Sequence, residues 1–333
     1  MALTYPTLLD IAKANGSDTV VGLIDETTRL VPEVRAIASR TIKGTSYKTW
    51  VRTTLPVSAF RQANAGGTVV KSNYVNRIVE TFILNPRWEA DKAVADRYEF
   101  GAANYIETEA TAIMESAIQQ LGRQFYYGRN QYTCAYVDDN GMVPGTHVGA
   151  NATYGGDANG LPGLIDGFNT TYEYDAAGTT ANTASSVWGV KTGEKNVTWV
   201  WGENGQLMLS DVLLQRVLDS ANNPFTAYCQ ELLAYPGLQI GDLRSVFRIK
   251  NITADSGHTL TDAMLFNAMA LLPAGQMPDY IFMSRRSLNQ LRNSRTATNI
   301  IGAPAPIPTE VGGIPIMMTD SIANSEPINF LSK

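Results

Sequence analysis

Two histidines and two cysteines are all that 333 residues contain. His147 and His258 stand alone, with no second histidine at i+3 or i+4, which removes the zinc-hydrolase class. Cys134 and Cys229 are too far apart to read as a disulfide framework or a zinc knuckle, leaving buried free thiols as the reading. No run of about 18 apolar residues occurs, and the opening Met1-Ala2-Leu3-Thr4-Tyr5-Pro6 lacks a basic n-region followed by an apolar stretch. The expectation is a chain made in the cytosol with no membrane partner, for which the Asn-x-Thr matches at Asn151, Asn169, Asn196 and Asn251 carry no meaning. Charge is scarce too, at 17% of residues against about 25% for an average soluble protein. Much of the surface is therefore polar and neutral, or covered by partners.

Catalytic patterns are equally thin. Asp255, Ser256 and His258 are near-consecutive loop residues that cannot point at one another in triad order, and no Gly-x-Ser-x-Gly elbow exists. The Gly-rich stretch 155–160 is followed by no Gly-Lys-Ser/Thr and is bracketed by no strand-to-helix switch, so a nucleotide loop is discarded. Acid pairs such as Asp138/Asp139 and Glu107/Glu109 occur in any acidic protein and discriminate nothing. The expectation is a non-enzyme with no catalytic, cofactor-binding or metal-ligating residues and no cofactor.

What the chain does hold is an uneven charge distribution. Between Ala36 and Arg87 lie eight Lys or Arg (Arg40, Lys43, Lys48, Arg52, Arg61, Lys71, Arg77, Arg87) and one acid, Glu80, in a protein of net charge -5. Residues 131–240 hold 3 basic and 11 acidic groups. The basic segment alternates like paired strands over 48–55 and 69–84 around a tip at Asn64-Ala65-Gly66-Gly67. A long basic hairpin is hard to bury at home, so its expected place is across a neighbouring copy of the same chain. Complementary charge of this kind fixes register and speeds encounter. The candidate contact residues are Arg40, Lys43, Lys48, Arg52, Arg61, Lys71 and Arg77, with Asp138, Asp139, Asp157, Asp166, Glu173 and Asp175 as their acidic partners.

At 44% apolar composition the chain can build two domains or one elongated subunit with several lobes. The first 38 residues read as an arm. One helix is predicted over 7–14, and a second, capped by Ser17 or Asp18, presents Val20, Val21, Ile24 and Thr28. A short mixed-charge helix is predicted over 89–98. The clearest helix follows, with Asn104 as N-cap, Glu107 as capping partner and Gly128 as stop; Ile106, Ala110, Ile113, Met114, Ala117, Leu121 and Phe125 form its stripe. Residues 138–186 read as a Gly, Asn and Thr-rich loop or insert. Segments 187–190, 197–202, 207–218, 225–233 and 246–252 predict a sheet of long antiparallel strands, with 207–219 also suiting a helix. Later come a helix from Thr259 to Leu272, a strand over 279–283, a basic helix opened by Ser284 (Arg285, Arg286, Arg292, Arg295) and a last strand over 312–322. That basic helix suits phosphate contact or a solvated face equally well, and a pI near 5.2 argues against a dedicated DNA binder.

Four segments carry a resemblance: Thr41-Ile-Lys-Gly-Thr-Ser-Tyr-Lys-Thr49 with Val51-Arg52-Thr53, Val246-Phe-Arg-Ile-Lys-Asn-Ile252, Asp279-Tyr-Ile-Phe-Met-Ser-Arg-Arg-Ser-Leu288, and Gly313-Ile-Pro-Ile-Met-Met-Thr-Asp-Ser-Ile322. In this order, across nearly the whole chain, they resemble the major capsid proteins of tailed double-stranded-DNA bacteriophages. The resemblance implies an α+β, Hong Kong 97-type capsid fold with an N-terminal arm, an extended E-loop hairpin, a peripheral domain with a long spine helix, and an axial domain. The expected divisions are the arm at 1–38, the E-loop at 39–88, the spine helix at 89–135, an insertion at 136–186, the peripheral sheet at 187–252 and the axial domain at 253–333. Only 11 residues follow Ile322, so the peripheral strands are expected from the earlier 187–252 stretch. The implied function is a structural subunit that self-assembles into hexamers and pentamers of an icosahedral head around double-stranded DNA, bound without sequence preference. Implied partners are a separate scaffolding protein, since no long charged N-terminal extension is present, a portal protein and, as an open addition, a decoration protein; the implied location is the virion capsid. The rival readings are a bacterial nanocompartment shell, a carbohydrate-binding surface protein and an unrecognised hydrolase.

Overall fold

A computed structural model describes residues 5–15, 25–129, 131–134, 145–148, 156–157, 159–205, 208–297 and 304–328. Thr7 caps the first helix, α1 (Leu8–Ala14), and the Asp10 carboxylate accepts the Thr7 N–H in return, a reciprocal box that satisfies two end groups. Of the helix expected to start at Ser17 or Asp18, the part up to residue 24 lies outside the described residues, and residues 25–28, with Thr28, are not helical. The next helix is the short α2 (Glu33–Ala36), followed by β1 (Ser39–Thr41). The basic segment folds as the expected hairpin, β2 (Ser46–Thr54) against β3 (Asn73–Glu80), with Trp50 opposite Asn76 and Arg52 opposite Tyr74.

The helix predicted over 89–98 is replaced by a strand, β4 (Arg87–Asp91), and a single turn, α3 (Lys92–Ala95). Trp88 and Ala90 are buried while their neighbours are less so; that two-residue alternation belongs to a strand. The long helix α4 (Ala102–Tyr127) starts at Gly101, without a side-chain cap, rather than at Asn104, and stops at Gly128. At 1.5 Å per residue it runs about 39 Å. Burial falls on its second half, where Leu121, Phe125, Tyr126 and Tyr127 are inaccessible, whereas Met114 and Ile118 remain exposed.

Within the Gly-rich stretch β5 (Gln131–Cys134) pairs antiparallel with β6 (Gly145–Val148), and α5 (Leu164–Gly167) and β7 (Glu173–Asp175) follow. Then come β8 (Ser185–Val190), β9 (Val197–Trp201), β10 (Met208–Leu209), β11 (Leu213–Leu218), β12 (Pro224–Leu233), β13 (Pro236–Ile240) and β14 (Val246–Ile252). The 207–219 region thus takes its strand alternative. The remaining elements are α6 (Asp262–Ala270), β15 (Tyr280–Met283), α7 (Arg285–Ala297), β16 (Glu310–Val311) and β17 (Ile314–Met318). Gly312 and Gly313, both at positive φ, make the turn between the last two, a conformation side chains with a Cβ resist.

The strands of 187–252 do not share one sheet. They are divided among β1-β9-β13, a sheet of β10, β11 and β4 around β12, and a six-stranded sheet ordered β16-β17-β15-β8-β14-β7. The expected limit at 252/253 therefore cuts through the six-stranded sheet, which joins β8 and β14 to strands from beyond it. The physical reason is burial: β8 is buried at every position and β14 at all but Lys250, and strands covered on both faces belong in the middle of a layered sheet. One core cluster packs α4 and α5 against one side of this region through Phe125, Tyr126, Phe168, Trp188, Trp199 and Phe282. A second packs α6 and α7 through Leu265, Met269 and Leu291 on Val187, Phe247 and Ile281. A fully buried side chain of this size contributes about 1.5–3 kcal/mol.

Candidate intersubunit interface

The base of the hairpin is fixed and its length is open. At the base the Tyr47 hydroxyl donates to Gln239 Oε1, and Arg77 Nη1 donates to the Gly241 carbonyl at 2.9 Å. Burial lowers the Arg77 pKa from the usual arginine value, against the opposing pull of Asp242. Phe82 and Leu84 then hydrogen-bond the chain at Pro236 and Ala234, so the stem is tied to the β12–β13 connection. Beyond the stem, every residue from Arg52 to Lys71 is exposed.

Alternation and register put Lys48, Trp50 and Arg52 on one face, with Tyr74 across from Arg52. Trp50 stacks on Tyr74 with ring centroids 4.3 Å apart, and the Arg52 guanidinium lies 5.5 Å from the Tyr74 ring centre. This ordered ladder leaves Trp50 72% exposed. Elsewhere on the hairpin Leu55, Val57, Phe60, Val69 and Val75 are open as well. Preformed Trp, Tyr and Arg groups of this kind are the residue types that dominate binding energy at protein interfaces. Sequence reasoning marked the cations and missed the aromatics. Trp50 and Arg52 share a face by simple alternation, but Tyr74 joins them only once the register is known.

Six of the seven candidate cations, Arg40, Lys43, Lys48, Arg52, Arg61 and Lys71, are exposed, and Arg77 is the half-buried stem residue. Arg40 lies over the Tyr47 ring, and Arg61 Nη1 closes the tip on the Ala65 carbonyl at 2.7 Å. Among the described residues no ion pair joins any of the seven to a carboxylate.

The acidic candidates divide. Asp138 and Asp139 lie outside the described residues. Asp166 is buried, its Oδ2 accepting the N–H groups of Gly163 and Arg129 at 3.0 and 3.1 Å, and it is an internal cap rather than a surface acid. Glu173 is internal too, bridging Arg248 at 3.2 Å and Lys250 at 2.9 Å. Asp157 and Asp175 are exposed; each also caps its own loop, accepting from Asn159 and Ala177.

Arg248 is the centre of a buried polar network. Its guanidinium donates to Ser186 Oγ at 3.0 Å, pairs with Glu173 and Glu326, and lies 5.3 Å from the Trp188 ring centre. Glu326 also accepts from the Ser186 and Tyr127 hydroxyls at 2.6 and 2.7 Å. Burial raises the Glu326 pKa and Arg248 opposes that rise.

The basic helix α7 is engaged internally as well. Arg286 donates to the Asn324 and Ile252 carbonyls, Arg292 to Ala305, and Arg295 grips Asp262 with two hydrogen bonds. The phosphate-contact reading keeps only Arg285 as an exposed cation. His258 Nδ1 meets the Ala176 carbonyl at 2.7 Å while the Asp255 carboxylate accepts from Thr180 and Thr253, so these two side chains share no hydrogen bond.

An exposed, preordered hairpin on a well-packed body fits assembly, and the comparisons agree. Residues 13–154 and 156–328 match the family described as Major capsid protein GP7. The chain belongs to that family. It is a major capsid protein, located in the virion capsid, and its role is structural rather than enzymatic. Among solved structures, a chain of bacteriophage Epsilon15 is 22% identical over 98% of both chains, with a TM-score of 0.72. The capsid of Myoviridae phage XM1 aligns at 10% identity over 71% of this chain and 97% of that one, with a TM-score of 0.48. The bacteriophage JBD30 capsid aligns at 7% identity over 93% and 97%, also with a TM-score of 0.48. No curated protein sequence matches the chain. The Epsilon15 likeness speaks for the fold, and the mixed α+β chain matches Hong Kong 97-type capsid structures. As a capsid protein it self-assembles into an oligomeric shell.

Proposed function

We propose that the β2–β3 hairpin is the E-loop of this capsid protein and that it docks on a neighbouring copy within the shell. The observation that carries the reading is the stacked Trp50–Tyr74 pair with Arg52 over it, exposed and surrounded by cations that have no acidic partner in their own chain among the described residues. The receiving surface on the neighbour is acidic, with Asp157 and Asp175 as candidates and Asp138 and Asp139 beside them in sequence-level charge. Residues 1–38 act as the N-terminal arm, and α4 is the spine helix of a peripheral domain that also contains the β12-centred sheet. The six-stranded sheet with α6 and α7 is the axial domain, extended by β7, β8 and β14 beyond the 253–333 limit. Axial domains cluster into hexamers and pentamers, and arm and hairpin then join neighbours. Each contact is weak alone; ring closure and repetition multiply it. A scaffolding protein, a portal protein and a decoration protein are the proposed partners, and packaged double-stranded DNA is held by non-specific contact.

The test is electron microscopy of the protein expressed with its genomic neighbours, comparing wild type with the charge-reversed Arg52→Glu/Arg61→Glu variant. Closed polyhedral particles from wild type and only small oligomers from the variant are expected. Particles of normal yield from the variant would remove the electrostatic part of the proposal.

A further inference from the structure

The segment 25–37 crosses α4 and is tied at its middle to the loop after β17: Leu30 N–H donates to Asp320 Oδ2 at 2.9 Å, and Asp320 N–H donates back to the Leu30 carbonyl at 3.0 Å. Glu33, three residues on, has no exposed surface. Its two carboxyl oxygens lie 3.2 and 3.1 Å from Thr319 Oγ1, and its carbonyl accepts from Trp199 Nε1 at 3.3 Å. Among the described residues no lysine, arginine or histidine pairs with it. Gly122 of α4 permits this approach. A Cβ there would stand inside contact distance of Ser321 Oγ, Val31 Cγ1 and Glu33 Oε1.

The chamber is polar and offers the Glu33 carboxyl no ion-pair partner among the described residues. The groups that meet that carboxyl are hydroxyls, Thr319 Oγ1 and Ser321 Oγ, with the buried Tyr126 hydroxyl beside them. A neutral carboxyl suits such a place, since it carries no charge and can both donate to and accept from the hydroxyls. An ionised carboxylate, by contrast, leaves a buried charge unpaired, which is costly.

We propose that residues 25–37 form a proton-dependent strap, closed on α4 and the β17 loop when Glu33 carries its proton and loosened when it does not. The groups facing Glu33 agree with this. From the β17 loop comes the Asp320 carboxylate, a second negative charge; from α4 comes Tyr126, a neutral hydroxyl in a fully inaccessible place. Arg123, the next residue of α4 after Gly122, makes no ion pair with it, and the strap's own Arg29 and Arg35 are exposed. At the far end of the strap Asp25 stands beside Glu115 of α4, and the hydrogen bond between the two acids raises the Glu115 pKa. Burial pushes Glu33 itself up to about 7 from the ordinary 4.5. A carboxyl raised in the closed state contributes fully below the ordinary value and is lost as pH rises through the raised one. Closure is therefore tightest in acid and weakens between about pH 4.5 and 7.

The test is amide hydrogen exchange of the full chain between pH 5.5 and 8.5, corrected for intrinsic exchange rates. Protection over residues 29–37 is expected to fall on the order of tenfold or more across that range, with the fall complete near neutrality and a plateau above it. Glu33→Gln, which keeps a donor and carries no charge, is expected to show flat protection. Glu115→Gln, at the far end of the strap, is expected to keep the wild-type slope, and it decides the matter even if Glu33→Gln does not fold. A flat wild-type profile overturns the proposal, and so does loss of the slope in Glu115→Gln, which assigns the proton to the Asp25–Glu115 pair.

Discussion

Arg248 and Arg52 both sit on β-strands, and both lay a guanidinium beside an aromatic ring, Trp188 at 5.3 Å and Tyr74 at 5.5 Å. Arg248 is 1% exposed and meets two carboxylates, Glu173 and Glu326. Arg52 is exposed on a hairpin whose cations meet none in their own chain among the described residues. The contrast teaches how to read an unpaired charge here. The body of the subunit supplies an acid for its buried arginine, as burial requires. Where a preordered arginine has no such acid and a shell is to be built, its proposed complement is on another copy.

The comparison can be broken first at Arg248. Arg248→Ala is expected to lower the unfolding free energy of the free subunit by about 3–5 kcal/mol, read by denaturant titration, because Glu173 and Glu326 lose their shared cation. Trp50→Ala should do the opposite: each intersubunit contact weakens by about 2 kcal/mol, seen as loss of particles in sedimentation, while subunit stability stays within about 0.5 kcal/mol. The Arg52→Glu/Arg61→Glu pair sharpens the electrostatic share. A shift of about 1 kcal/mol per contact is expected, shrinking as salt is added, and a salt-independent assembly threshold would contradict it. At the hairpin tip Gly66→Ala should change neither stability nor assembly by more than about 0.5 kcal/mol, since a Cβ there meets nothing.

The hairpin and the long helix were legible in the sequence because their signals are local. Alternation set β2 and β3, and a 3.6-residue stripe ending at Gly128 set α4. The helix start moved from Asn104 to Gly101 since the cap there uses no side chain, a boundary no residue type announces. Sheet membership was not legible. β14 pairs with β7 far upstream, and Arg248 finds Glu173 only through that register. Read by charge alone, Glu173 and Asp166 looked like surface acids; read in the fold, one neutralises Arg248 and Lys250 and the other caps the Gly163 turn. The aromatic ladder on the hairpin was missed for the same reason, since Tyr74 and Arg52 become neighbours by register, not by sequence.

Glu326 closes the network around Arg248 from a point far downstream of every other member: Tyr127, Glu173 and Ser186 all precede Arg248 in the chain. During synthesis the sheet that carries β7, β8 and β14 therefore holds an arginine with one of its two acids absent until the segment around Glu326 has been made. β15 and β17, which complete the same sheet, arrive late as well. The nascent chain consequently reaches its finished core only after Glu326 has been made, whereas the hairpin, built from local pairing, can form early. A ribosome making this protein exposes the hairpin proposed to dock before the body that must carry it, so any helper that masks the hairpin has its greatest effect in that interval.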